Sequence, residues 1–272
     1  MKRTWRIVAI GALVVVLVIA LTPYLWLVMT SLKSRLDALA DTPVWAFTPT
    51  LEHYPKVFLD KEYLPLVVNS LVVACASTVL SLLIGVPAAY VFARHDFRGK
   101  EDLFFFFLTT RMAPPISVVV PMFLLFGFVG LIDTRASVIL AHSTFNLSLV
   151  VWMMRGFFAD IPREVDEAGQ MDGLTRAGTF LHLLLPLAAP GIAATAVLCF
   201  ILSWNEFLYA LILVAFESRT LTVGIPGLVT PHGTLWGQVA AVAVVATLPI
   251  IVFTFLVQRH LVRGLTFGAV KG

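Results

Sequence analysis

Apolar residues in this chain run on continuously and do not alternate or recur on one narrow face. Six stretches stand out, near residues 7–29, 66–93, 103–130, 136–154, 189–215 and 239–261. A helix needs about 20 predominantly apolar residues to cross a hydrocarbon core, so the pattern predicts six transmembrane helices. Membrane β-barrels instead show alternation over about ten residues per strand. The expected fold class is therefore all-α, a polytopic membrane protein. Pro87, Pro114, Pro115, Pro121 and Pro249 fall inside these stretches, where each removes a backbone donor and kinks or breaks the helix.

A polar island, residues 157–186, separates the fourth and fifth stretches. Pro162 is suited to start a short helix over Arg163 to Gln170, with Glu164, Asp166 and Glu167 in its early turns, where they complement the positive end of the helix dipole. Asp172-Gly173 then breaks it. A second helix is predicted from Thr175 to Leu184, with Ala177, Phe180, Leu181 and Leu184 at helical spacing and Pro186 limiting its continuation. The result is a helix-turn-helix elbow shaped to touch a soluble partner. The competing reading is an amphipathic connector resting on lipid, which three clustered acids disfavour.

Composition agrees with a membrane environment: 59% of residues are hydrophobic and 13% charged, about half the charged share of a soluble domain. Lys and Arg set the orientation. With the N terminus inside, 12 of the 19 basic residues lie on the inner side, six lie outside and Arg111 falls within a span. Cytoplasmic loops carry the Lys and Arg excess, so both termini and the elbow are expected in the cytoplasm. A basic start before an apolar run also describes a signal peptide, but Ile7 to Met29 is too long and no small-residue cleavage site follows. The net charge of +3 then belongs to cytoplasmic loops and calls for no nucleic acid. Cys75 and Cys199 both lie in spans, as small apolar residues. Three regions result: 1–65, a first helix and external loop; 66–262, the core carrying the 157–186 loop; and 263–272, a cytoplasmic tail.

Several chemistries are missing. Gly99-Lys100 is followed by Glu101, so no phosphate-binding loop is present, nor is there a zinc-peptidase or nucleophile-elbow motif. Polar groups within spans face the protein interior or a water-filled cavity and mark candidate pathways. These are Arg111 in the third span, Asn146 in the fourth, and Trp204, Asn205 and Glu206 in the fifth. Trp204 can stack on a sugar ring or pack between helices, and the others can bind solute hydroxyls or hold helices together. On a continuous helix, three consecutive residues fan out by about 100° each, so 204–206 would not share one face.

The island also has a specific spacing. Glu167-Ala168-Gly169, Gln170-Met171, Asp172-Gly173, then Phe180, Leu185-Pro186 and Pro190, resembles the Glu-Ala-Ala loop of ABC importer permeases. Gly169 replaces the second Ala and should loosen the helix by roughly 1 kcal/mol. Asn69-Ser70, Ala89-Tyr90, Arg94, Phe97-Arg98-Gly99-Lys100, Trp204-Asn205-Glu206-Phe207 and the tail from Gly264 to Gly272 are similar to the MalG-like carbohydrate branch. The resemblance implies a non-catalytic permease subunit in a bacterial inner membrane. It further implies a second, MalF-like permease, a dimer of ATP-binding subunits holding ATP and Mg, and an external solute-binding protein, with no cofactor in this chain. Glu164, Glu167, Ala168, Gly169, Asp172 and Gly173 would couple to the ATPase, and the cargo would be a small polyhydroxylated solute. A secondary transporter or channel would leave the elbow's spacing unexplained, and a membrane scaffold would leave the polar span residues without a task.

Overall fold

In a computed structural model, residues 2–231 and 233–266 are described; the family-like tail beyond Thr266 lies outside them. Apart from shorter helical turns, the helices are α1 (Lys2–Leu32), α2 (Tyr63–Arg94), α3 (Lys100–Thr109), α4 (Pro115–Phe128), α5 (Arg135–Asp160), α6 (Glu164–Met171), α7 (Arg176–Leu187), α8 (Ala189–Asn205), α9 (Leu208–Leu213) and α10 (Trp236–Thr266). Among the described residues, four helices are long and apolar enough to cross a membrane by themselves, namely those at Val8–Leu32, Tyr63–Arg94, Arg135–Asp160 and Trp236–Leu256. Two of the six predicted spans are interrupted.

The third is interrupted at Arg111 to Pro114. A residue preceding proline avoids the helical region; Pro114 is extended (φ −56°, ψ 129°), and Pro115 opens α4 at a position where its missing N–H has no helical partner to lose. Arg111, expected inside a continuous helix, sits exposed in this turn.

The fifth is interrupted at Glu206, whose backbone is extended (φ −69°, ψ 137°). Its carboxylate accepts the N–H groups of Tyr209 (3.0 Å) and Ala210 (3.2 Å) and so caps α9. A capping acid ends one helix and starts another, so Glu206 does not follow the helical fan of Trp204 and Asn205. Pro190 and the π-helical turn Phe180–Leu184 bracket a further bend of 73° between α7 and α8.

The chain forms two compact units. In the first, residues 1–65 and 224–249, His53 Nε2 meets the Lys33 carbonyl at 2.8 Å, and the buried Lys33 ammonium lies 4.4 Å from the Trp26 ring. Gly237 leaves the His53 ring the room a Cβ would occupy. This unit also contains a small antiparallel hairpin, β1 (Val229–Thr230) with β2 (Gly233–Thr234).

The second unit, residues 66–223 and 250–272, is built around α5, which is 56% buried across its apolar window. Thr134 caps α5 by accepting the Ser137 N–H. Gly85 on α2 faces Val150, and Gly191 on α8 faces Phe157; a Cβ at either position would sit 2.5–2.6 Å from those side chains. Small residues allow membrane helices to approach closely, and here they bring α2 and α8 onto α5. Cys199 is buried in this core, whereas Cys75 is exposed on α2.

The irregular segment after α9 is held by two polar residues of this unit. Asn69 donates to the Glu217 and Arg219 carbonyls (3.1 and 2.9 Å) and accepts from Arg135 Nε (2.9 Å). Asp133 receives the N–H groups of Ala215, Phe216, Glu217 and Ser218. Partial burial works to raise the Asp133 pKa, and these four donors outweigh it, holding the carboxyl below its ordinary value. A lowered folded-state pKa stabilises the fold above the ordinary carboxylate range and loses that contribution as pH falls through the folded value. We predict that Asp133→Ala lowers stability at neutral pH by about 1–2 kcal/mol. In thermal melts, the gap between Asp133→Ala and the parent should close on acidification below the ordinary Asp value.

Candidate functional site

Helix α6 is eight residues long, and its two faces differ. Glu164, Glu167, Ala168 and Met171, at i, i+3, i+4 and i+7, are exposed, Met171 at 88%. Val165, Asp166 and Gly169 turn inward. Amphipathic spacing of this kind places one stripe against the bundle and leaves the other free.

Three contacts seat the inner stripe. Val165 joins an apolar cluster with Tyr90 of α2, Met154 and Phe158 of α5, and Phe180 and Leu184 of α7. The Tyr90 and Phe180 rings lie 4.8 Å apart, and Phe158 packs edge-on against Tyr90 at 5.8 Å. Gly169 lies flat on α7: a Cβ there would be 2.8 Å from Leu183 Cδ1 and 2.9 Å from Thr179 Oγ1. The glycine read as a loosened helix is thus the point of closest approach between α6 and α7. The third contact is polar. Arg94, the last residue of α2, places Nε 3.1 Å from Asp166 Oδ2 and donates from Nη2 to the Ile161 carbonyl (2.6 Å). The Nε approach is an ion pair without the alignment of a hydrogen bond.

The turn after α6 matches its sequence. Leu174 N–H bonds the Gly169 carbonyl and Gly173 N–H bonds the Gln170 carbonyl, a Schellman closure. Gly173 has φ +83°, a left-handed conformation that glycine adopts without steric cost. Thr175 caps the next helix by accepting the Gly178 N–H at 3.1 Å.

The elbow therefore brings five of the six expected coupling residues, Glu164, Glu167, Ala168, Asp172 and Gly173, to an exposed surface, while Gly169 is buried beneath it. Sequence reasoning missed Asp166 and Met171. The signal was helical phase: Asp166 is three residues from the buried Gly169, and Met171 is four from Glu167.

The candidate pathway residues do not gather on one wall. Asn146 is fully buried and donates to Ser203 Oγ (2.8 Å), which also meets Ser77 Oγ (3.0 Å), so these side chains join α5, α8 and α2. Trp204 is buried and stacked on Phe200, with ring centroids 5.9 Å apart. Asn205 is exposed, and its amide donates to the Ile201 carbonyl of its own helix. Glu206 faces the fully buried His142 across 3.1 Å. Among the described residues, no three His, Cys, Asp or Glu side chains converge as a metal site requires.

Residues 65–267 match the family of binding-protein-dependent transport system inner membrane components. The chain belongs to this family. The permease is 38% identical to the trehalose transport system permease SugB of Mycobacterium tuberculosis, over 93% of both chains. It is 32% identical to the trehalose/maltose transport system permease MalG of Thermococcus litoralis, over 98% and 97%, and 35% identical to the inner membrane ABC transporter permease YcjP of Escherichia coli, over 100% and 99%. Its fold is shared with a bacterial ABC transporter that imports alginate, at 24% identity, a TM-score of 0.77 and coverage of 96% and 97%.

The permease's Gly169 contact is open to a direct test. Gly169→Ala gains helix propensity of about 1 kcal/mol but meets Leu183 Cδ1, the far end of a flexible side chain that can turn away, and collides with the short, buried Thr179 side chain, which cannot. We predict net destabilisation by Gly169→Ala alone and net stabilisation in Gly169→Ala/Thr179→Ala relative to Thr179→Ala. The double-mutant cycle read from melting curves should show about 1 kcal/mol of favourable coupling; additive effects would count against a steric contact.

Proposed function

We propose that the permease forms half of the translocation pathway of an ATP-driven importer for a sugar, sugar alcohol or related polyhydroxylated solute. A second, related permease supplies the other half. Two copies of a separate subunit bind ATP and Mg, and an extracytoplasmic binding protein delivers the cargo. The sugars for which these relatives are named, trehalose and maltose, support the solute class, and the positive-inside count supports both termini in the cytoplasm.

The observation that carries the reading is the exposed ridge Glu164, Glu167, Ala168 and Met171 on a helix whose opposite face is locked to the bundle. A ridge fixed in this way moves with the spans when a soluble subunit moves it. ATP binding closes the ATPase pair, the elbow follows, and the spans open outward; hydrolysis resets them. A ligand shifts such an equilibrium only through contacts that differ between the two states, and the ridge provides that contact. Arg111, Asn205 and Glu206 are the candidate pathway groups whose side chains are accessible in the isolated chain, while Asn146 and Trp204 act through packing.

Purification with the ATPase and binding protein encoded nearby, followed by ATPase assays over a panel of sugars and polyols, tests the proposal. Stimulation by one solute class is the expected result, and full uptake in cells lacking the ATPase subunit would overturn it. Two substitutions probe the ridge. Glu167→Lys reverses charge at its centre, and Gly173→Val forces a β-branched residue to positive φ; both should insert normally and lose at least about tenfold in solute-stimulated ATPase, equivalent to about 1.4 kcal/mol of coupling. Arg111→Ala should reduce uptake while leaving assembly and basal ATPase intact, and unchanged uptake removes Arg111 from the pathway.

A further inference from the structure

The contact between Arg94 and Asp166 is more than the elbow needs in order to fold. Val165, Phe180 and Leu184 already bury an apolar seam against α2 and α5, and Gly169 already lets α6 lie on α7. An ion pair added beneath that seam is a poor source of stability, because desolvating both charges offsets most of their attraction. The Arg94 and Asp166 side chains are nevertheless 7% and 16% exposed. They line a cleft of about 200 Å³ with Tyr90, His95, Arg163, Glu167, Gln170 and Arg176.

What the pair adds is direction. Arg94 is the last residue of α2, and its guanidinium reaches two points of the elbow at once, Ile161 at the entry and Asp166 at mid-helix. Apolar packing resists separation yet permits sliding, whereas a guanidinium held at two separate points, by a hydrogen bond at Ile161 and an ion pair at Asp166, resists sliding as well. The Arg94 Nε and Asp166 Oδ2 atoms are buried and have no hydrogen bond besides their ion pair, so each depends on the other for its compensation.

We propose that Arg94 and Asp166 are positioning residues that lock the coupling helix to the end of α2, so that a displacement of the elbow reaches this transmembrane helix as a rigid rotation. Neither residue touches solute or nucleotide. The inference rests on the reading of α6 as the ATPase contact and extends it by naming the strut that carries the motion onward.

The test uses the assembled complex with Asp166→Asn, Arg94→Gln and the apolar pair Arg94→Met/Asp166→Leu. Co-purified ATPase, melting temperature, basal hydrolysis and stimulation by solute-loaded binding protein are compared. Each single variant should retain the ATPase subunit and basal hydrolysis and lose stimulation by about tenfold or more. Apolar replacement of a buried ion pair commonly restores stability, so the double variant should recover its melting temperature without recovering stimulation. Stimulation that tracks melting temperature across all three variants overturns the proposal, as does full stimulation in Asp166→Asn. If the unsubstituted chain draws no ATPase into a complex, the functional reading fails by itself. The strut is then judged by hydrogen exchange of the purified chain, where unchanged protection of 164–171 in Asp166→Asn would show that the pair positions nothing.

Discussion

In an apolar solvent, every backbone group that leaves a helix must find its partner inside the chain. That constraint shapes this permease where its fifth span is interrupted, and side-chain pairing of irregular backbone recurs in the connections outside the spans. At the break in the fifth span, Glu206 turns its carboxylate onto the N–H groups that open α9. After α9, Asp133 and Asn69 take up the donors and acceptors of residues 215–219. Between α5 and α6, Arg94 holds the Ile161 carbonyl. The same few polar side chains that permit irregular backbone also decide where the bundle can bend and where it stays rigid.

The elbow applies this economy to function. Its outer face is exposed and its inner face is held: apolar residues, a glycine contact and one ion pair fix α6 in three different ways. In the coupling role proposed above this arrangement matters, since a loosely held helix would absorb a partner's movement. Gly169 illustrates how context reverses a propensity argument. In isolation it weakens a helix, whereas against Thr179 and Leu183 it is what allows the helix to lie close enough to be held.

Asn146 and Glu206 make a parallel point for the spans. Both are polar residues in apolar surroundings, and both were credible pathway residues by type. Asn146 is fully buried in hydrogen bonds that join three helices through Ser203 and Ser77, whereas Glu206 caps α9 and meets His142 yet keeps part of its side chain accessible. Polar residues in membrane spans divide between transport and architecture, and the division depends on which side the side chain turns.

Much of this protein was legible in its sequence. Long apolar runs specify helices through the cost of unpaired backbone in lipid, and Pro162 and Asp172-Gly173 mark the elbow's first helix because their effects act over one or two residues, whereas α7 continues through Pro186 to Leu187. The Glu167 to Gly173 spacing placed the chain in its family. Pro114 and Pro115 marked the break in the third span; only the tertiary structure decided how the fifth span breaks, which stripe of α6 faces out, that Asp166 belongs to Arg94, and that Gly169 is a contact point. Those features depend on residues meeting in space, Gly169 with Thr179 and Leu183 across one turn and Asp166 with Arg94 from a different helix, or on a capping acid outcompeting helix continuation, and no local pattern of hydrophobic and polar residues specifies such meetings.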